Sequence, residues 1–294
     1  MNSRELATWK LTTEWPVAEA SVEGNFHLHV DEAKYKNSYG NHRSIVKLEV
    51  IDEAHHEFDA SGVLIGLDLV LTSAHNVLYR GGETFVSRVM SVKAYIGYHR
   101  SKSSKGIGVE KRFGKRVIVL QAWERSGFAW HNDMALIKLE SDFLQVEPAL
   151  YQAPPLVWSE VLGIGYPGEN TTQGSGSCPL CEDAGCMYEV VGGARCEDDG
   201  LLECKLLAVS GNSGSPIFLK DEPRPRKNTL RTVIATCSGS KSKEGTIYAA
   251  PVDVPFIQAT KYFLSQQHLP SNLHFIMHQQ PDTQTWTIFQ STEI

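Results

Sequence analysis

No apolar run in this 294-residue chain approaches the ~20 residues that a membrane helix needs, so no membrane span is expected. The N-terminus, Met1 to Gly24, lacks a cationic start followed by an apolar stretch. No Sec-type signal is read there, which favours a cytoplasmic protein or one exported by a non-classical route. Internal repeats and low-complexity segments are missing, which sets aside repeat architectures. An excess of positive charge is missing too. The net charge is −6, which argues against a nucleic-acid binder. Cysteine is scarce outside one region: of six, only Cys237 lies outside the stretch Cys178–Cys204. What remains is an ordinary globular composition, 41% hydrophobic and 21% charged, in a chain long enough for one long β unit or two small lobes.

From Ser44 onward the text is β-like. Ile45–Val50 places Val46, Leu48 and Val50 on one face and Lys47 and Glu49 on the other, the pattern of a half-buried strand. Gly62–Ile65 and Leu69–Leu71 flank Gly66-Leu67-Asp68, which reads as a hairpin turn. Further short runs follow at Ser91–Tyr98, Arg116–Leu120, Ala135–Leu139, Val161–Gly165, Met187–Val191, Leu206–Val209, Ile217–Leu219, Thr232–Thr236 and Thr246–Ala250. They are rich in β-branched residues, punctuated by glycine, and show no βαβ alternation, so an all-β barrel or sandwich is expected. One helix is expected near the end: Asp253 as cap, Pro255 in the first turn, and Phe256, Ile257, Ala259, Thr260, Phe263 and Leu264 on one side, stopped by Pro270. The stretches His99–Lys115 and Asp221–Arg231 read as surface connections. Three parts result: an N-terminal extension over 1–43, a body over 44–270 with a lobe boundary near 140–160, and a tail over 271–294 packing on that body.

Three motifs carry chemistry. Gly211-Asn212-Ser213-Gly214-Ser215-Pro216 wraps a serine in glycines, which leave the hydroxyl approachable and permit turns other residues resist. Thr72-Ser73-Ala74-His75-Asn76 follows the apolar run Val63–Leu71, and His131-Asn132-Asp133 precedes the apolar run Met134–Ile137. A serine hydroxyl is a poor nucleophile at neutral pH; it needs a base within hydrogen-bond reach and a group that orients the base. Histidine and aspartate fill those roles. Singly each motif is an ordinary turn or loop. Jointly, in the order His75, Asp133, Ser213, each at a strand end, they outline a charge-relay nucleophile.

On those residues the chain resembles the serine endopeptidases of chymotrypsin-like fold, and within them the bacterial glutamyl-endopeptidase (V8-like) branch. Leu71–His75 is similar to the family's histidine motif, Asn132–Leu139 to its aspartate motif, Gly165-Tyr166-Pro167-Gly168 to a turn of that branch, and Gly211–Pro216 to its serine motif. The likeness spans Ser44 to Leu269. It implies two packed six-stranded antiparallel β-barrels with a C-terminal helix, a triad in the cleft between them, and protein or peptide substrates. It further implies His75 as general base and acid, Asp133 orienting it, Ser213 as nucleophile, and the amides of Gly211 and Ser213 as oxyanion hole, with no cofactor in the chemistry.

Departures from the family are informative. An uncharged Asn212 stands where the digestive enzymes carry an aspartate that pairs with a freed N-terminus, so control by that ion pair is not expected. The substrate pocket is expected around Leu207, Ala208, Cys237, Ser238 and Thr246. Glutamate-selective members usually place a histidine where Cys237 falls. With no cation or carboxylate among the five, an uncharged, apolar or small P1 side chain is expected. A second reading, from a different class, is a catalytically silent protease fold that binds peptides. An esterase is a weaker third, because the serine motif is not a Gly-x-Ser-x-Gly elbow. The five crowded cysteines, Cys178, Cys181, Cys186, Cys196 and Cys204, allow a structural zinc site, disulfides or free thiols, and the spacing leaves all three open.

Overall fold

The computed structural model describes residues 28–36, 42–81, 85–99, 108–120, 123, 129–168, 185–197, 200–206, 211–220, 232–240, 246–253, 256, 260 and 286–290. Chain order begins with β1 (Leu28–His29) and the short helix α1 (Ala33–Lys36), both ahead of the body. The first half then supplies β2 (Ile45–Asp52), β3 (Glu57–Gly66), β4 (Leu69–Thr72), β5 (Leu78–Gly81), β6 (Phe85–Ile96), β7 (Glu110–Leu120) and β8 (Ala135–Leu139). The second half supplies β9 (Leu150–Tyr151), β10 (Ser159–Gly165), β11 (Tyr188–Cys196), β12 (Leu202–Cys204), β13 (Pro216–Leu219), β14 (Thr232–Ser240) and β15 (Ile247–Pro251). Last comes β16 (Trp286–Gln290).

Pairing closes these strands twice. β2, β3, β4, β8, β7 and β6 form an antiparallel ring sealed by the β6–β7 pair. β10, β13, β14, β15, β12 and β11 form a second ring sealed by β11–β12. The fold is thus two closed six-stranded antiparallel barrels, the chymotrypsin-like architecture. Closure leaves neither barrel with a full free edge. The remaining strands decorate the rings: β1 pairs with β11, β5 with β6, β9 with β14 and β16 with β7.

Alternation explains most of the strands. In β4 and β8 nearly every residue is buried, because both faces are covered. The hairpin predicted at Gly66-Leu67-Asp68 joins β3 to β4. Two expectations need correction. Lys47, assigned to a solvent face, is 1% exposed; its ammonium meets Asp59 at 3.1 Å and lies 4.5 Å from the Tyr98 ring centroid. A paired lysine can be buried where an unpaired one cannot. The stretch read as a connection up to Lys115 is strand from Glu110, with Phe113 opposite Lys93. Lys111, Phe113 and Lys115 are its exposed positions, and the half-buried Arg112 is held by Glu110 and the Asp142 carbonyl. Of the strand expected at Leu206–Val209 only Leu206 is described, buried and outside any strand, and most of the expected C-terminal helix lies outside the described residues. Within that helix Phe256 and Thr260 are helical and fully buried, and Asp253 Oδ1 accepts the Phe256 N–H at 2.7 Å, as a capping aspartate should.

Candidate active site

The histidine and aspartate motifs meet on the first barrel. After β4 the chain makes one 3₁₀ turn, Ala74–Asn76, which carries His75. Before β8 a second 3₁₀ turn, Trp130–Asn132, delivers Asp133. Because β4 pairs with β8, with Thr72 opposite Ala135, the two turns stand side by side at one end of that pair. Asp133 uses both carboxylate oxygens on the same residue: Oδ2 is 2.6 Å from His75 Nδ1, and Oδ1 accepts the His75 backbone N–H at 2.8 Å. A carboxylate only accepts, so Nδ1 carries the proton and Nε2 is the accepting nitrogen of the ring. Asp133 is 1% exposed and His75 13%. The imidazole is thus partly open and the carboxylate behind it is closed off.

Ser213 comes from the second barrel, on the turn between β12 and β13. Two glycines shape it. Gly211 has φ +89°, and a Cβ there would fall 2.1 Å from the Gly168 nitrogen. Gly214 has φ +81°, and a Cβ there would fall 2.3 Å from the Ser61 carbonyl oxygen. Only glycine meets both demands. The Ser213 carbonyl accepts the Ser61 N–H at 2.9 Å and the Asn76 side-chain amide at 3.1 Å, so the Ser213 backbone is tied to the residue beside His75.

The barrel seam under this site is polar and fully partnered at several points. Ser61, in the middle of β3 and completely buried, donates its hydroxyl to the Gly211 carbonyl at 2.8 Å and accepts the Tyr166 N–H at 2.9 Å. Thr72 Oγ1 donates to the Ser61 carbonyl at 2.7 Å and accepts from Asn76 Nδ2 at 3.0 Å. Ser73 donates to the Cys237 carbonyl at 2.7 Å, and that carbonyl also accepts the Gly214 N–H at 2.9 Å. A network in which each member is satisfied fixes one relative placement of the two turns. Thr72 and Asn76 lie in the histidine motif, but sequence reasoning gave them no task. Ser61 went unnoticed, although a hydroxyl inside an apolar strand was its signal.

The sequence matches the trypsin family over residues 34–258. The chain belongs to the trypsin family. Among solved structures it is similar to a Glu endopeptidase complexed with MPD, at 18% identity, TM-score 0.61, covering 83% of this chain and 99% of that one. It is also similar to a thermostable serine protease, AL20, from an extremophilic microorganism, at 16% identity and TM-score 0.58, covering 77% and 98%. A third is an inactivated protease paralogue of the scabies mite, at 14% identity and TM-score 0.56, covering 82% and 99%. No curated protein matches the chain in sequence.

The remaining predicted site residues of this trypsin-family chain divide. Leu207 and Ala208 lie outside the described residues. Cys237 packs in the second barrel's core with Cys204 and Ala249. Burial and the nearby Asp133 carboxylate push its thiol up to about 12, so it is neutral at physiological pH. Ser238 is buried and Thr246 half-buried. Trp130 and Tyr248 meet edge-on at 5.7 Å between ring centroids beside Gly239, an aromatic pair that sequence reasoning missed.

The cysteine cluster does not converge among the described residues. Cys186 precedes β11 and Cys196 ends it, roughly 30 Å apart at the ~3.3 Å rise of a strand residue. Cys196 and Cys204 lie on the paired strands β11 and β12, where Cys196 faces the Pro155 carbonyl and Cys204 the barrel core. Cys186, Cys196, Cys204 and Cys237 are all free thiols. A single site holding Cys186 together with Cys196 and Cys204 is therefore ruled out by strand geometry. Cys178 and Cys181 lie outside the described residues.

Proposed function

We propose that this chain is a serine endopeptidase that hydrolyses peptide bonds through an acyl-enzyme on Ser213. The observation that carries the reading is the two-pronged grip of Asp133 on His75, at 2.6 and 2.8 Å, in a turn whose next residue, Asn76, holds the nucleophile's carbonyl. In this reading His75 Nε2 takes the Ser213 proton as the hydroxyl attacks the scissile carbonyl. Asp133 stabilises the imidazolium that forms, and the amides of Gly211 and Ser213 receive the oxyanion. His75 then protonates the leaving amine and activates the water that releases the acid.

Substrate choice follows from what the pocket lacks. The neutral Cys237 thiol offers no positive partner for a P1 carboxylate, which supports an uncharged, small or apolar P1 residue. The Gly165–Gly168 turn and the Gly211–Pro216 motif support a place near the V8-like branch, with its glutamate preference lost. The test is a proteome-derived peptide digest read by mass spectrometry, together with labelling by a fluorophosphonate probe. Labelling of wild type, lost in Ser213→Ala and His75→Ala, is the expected result. Peptide binding with no labelling would make the chain a binding module; the mite paralogue of similar fold is an inactivated protease. Cleavage chiefly after Glu, Arg or Lys would refute the pocket assignment.

A further inference from the structure

Away from the cleft, the N-terminal segment crosses the seam of the two barrels and brings unlike side chains together. His29 lies on β1, which pairs with β11 of the second barrel. His99 follows β6 of the first barrel, and Cys186 leads into β11. One ligand atom from each of these three lies within 4.8 Å of the others. Cys186 is fully buried, His99 is 12% exposed and His29 is exposed.

The geometry points to a divalent transition-metal site of the zinc class, formed by Cys186 Sγ, His99 Nδ1 and one ring nitrogen of His29. Two observations carry this. The first is spacing. Cys186 Sγ and His99 Nδ1 are 3.6 Å apart. A tetrahedral zinc ion with Zn–S of about 2.3 Å and Zn–N of about 2.05 Å sets those atoms about 3.6 Å apart. The second is the group behind the histidine. His99 Nε2 is 2.5 Å from Glu32 Oε1. A carboxylate only accepts, so this contact places the proton on Nε2 and makes Nδ1 the accepting nitrogen, approached by both the Cys186 thiol and the Tyr35 hydroxyl. A carboxylate on the far nitrogen of a histidine is what metal-ligating histidines ordinarily have. The Tyr35 hydroxyl, 2.8 Å from Nδ1, donates to this same nitrogen and gives up that hydrogen bond when the ion binds. On binding, the Cys186 thiol gives up its proton to water and the two imidazoles bind neutral.

Such an ion would pin the N-terminal segment to both barrels at once. The site is independent of the protease reading, and its test does not measure activity. Full-length reduced protein is stripped with a chelator and titrated with Co2+. The expected result is one tight equivalent with a thiolate-to-cobalt charge-transfer band in the near ultraviolet, displaced by Zn2+, and a higher unfolding midpoint with Zn2+ than with chelator. Cys186→Ser should abolish the band. Glu32→Gln should weaken Co2+ binding by about 10–100-fold. His29→Ala, an exposed position whose loss does not threaten folding, should weaken it at least as much. A Cys178→Ser/Cys181→Ser double variant should keep the band. No band in reduced wild type would overturn the site, as would unchanged affinity in His29→Ala and Glu32→Gln, or a band lost only in the double variant.

Discussion

The two barrels supply the cleft by different means. The first holds its pair through side chains: one carboxylate grips an imidazole and its backbone amide across 58 positions of sequence. The second holds its serine through backbone shape, on a turn with left-handed glycines at 211 and 214. Acid–base work needs a ring oriented to within a hydrogen bond, which a fixed acceptor provides. A nucleophile needs an uncovered approach, which missing Cβ atoms provide. Ser61, Ser73 and Asn76 join the two halves, each bonded to the other barrel.

The largest effect should come from breaking either half's chemistry. Ser213→Ala and His75→Ala should each lower kcat by about 10⁶-fold. Asp133→Asn, which leaves the geometry but favours the wrong tautomer, should cost about 10⁴-fold. Steady-state kinetics on a peptide found in the digest would read these values. If Asp133→Asn cost less than about tenfold, the grip would be ornamental and the first barrel's role would be misread.

Next is the backbone side of the comparison. Gly214→Ala forces a Cβ to within 2.3 Å of the Ser61 carbonyl oxygen and 2.1 Å of Thr72 Oγ1, at φ +81°. Strained backbone at one residue costs about 1–3 kcal/mol before any clash is counted. Loss of both stability and probe labelling is expected, measured by urea denaturation and fluorophosphonate reactivity. An equivalent change in the first barrel's histidine turn, Ala74→Gly, should be far milder, because nothing there requires positive φ.

Ser61→Ala sharpens the join. It removes the hydroxyl that serves the Gly211 carbonyl and the Tyr166 N–H, leaving two buried backbone groups without that partner. A destabilisation of about 1–3 kcal/mol is expected. Because Gly211 shapes the proposed oxyanion hole, kcat should fall while KM changes little. A rise in KM with kcat intact would assign Ser61 to substrate binding instead.

The smallest effect lies beneath β1. Glu189 is held by His42 Nε2 at 3.0 Å and faced by Lys34 at 3.5 Å. The His42 hydrogen bond chiefly keeps its carboxyl below the usual carboxylate range. Its folded value is thus lower than its unfolded value near 4.3, so its contribution is complete above that pH and is lost as pH falls through the folded value. Glu189→Gln should therefore be less stable than wild type at pH 7, and the gap should close toward pH 3, as read by urea midpoints. A gap that widens on acidification would reverse the assignment.

Local signals made His75, Asp133 and Ser213 legible. Each sits at the end of an apolar run, and its neighbours are small or turn-forming, so Thr72–Asn76, Asn132–Ile137 and Gly211–Pro216 announce themselves. The antiparallel hairpin at Gly66–Asp68 was legible for the same reason. Partners far apart in sequence were not. Lys47 was misread because its burial depends on Asp59 and Tyr98 rather than on its own strand pattern. Ser61 was invisible because its partners, Gly211 and Tyr166, lie more than a hundred positions away. The cysteines, crowded in sequence, left a zinc site, disulfides and free thiols open, and β11 draws Cys186 and Cys196 to opposite ends. Cys186 instead faces His29 and His99, one of them in a segment the sequence left unassigned.

β16 runs along the half of β7 that β6 leaves unpaired, with Trp286 opposite Leu120 and Gln290 opposite Arg116. The stretch it covers, Val117-Ile118-Val119-Leu120, is β-branched or aliphatic at every position. Stripped of this cover, its open N–H and C=O groups would form a template for strangers, the usual seed of sheet-to-sheet clumping. A chain cut before Trp286 should still close its first ring yet scatter light on standing, and a charged residue in place of Val119 should worsen folding rather than cure the clumping, since that side chain is 1% exposed. The last strand thus works as a guard rail for solubility, added outside a ring that is complete without it.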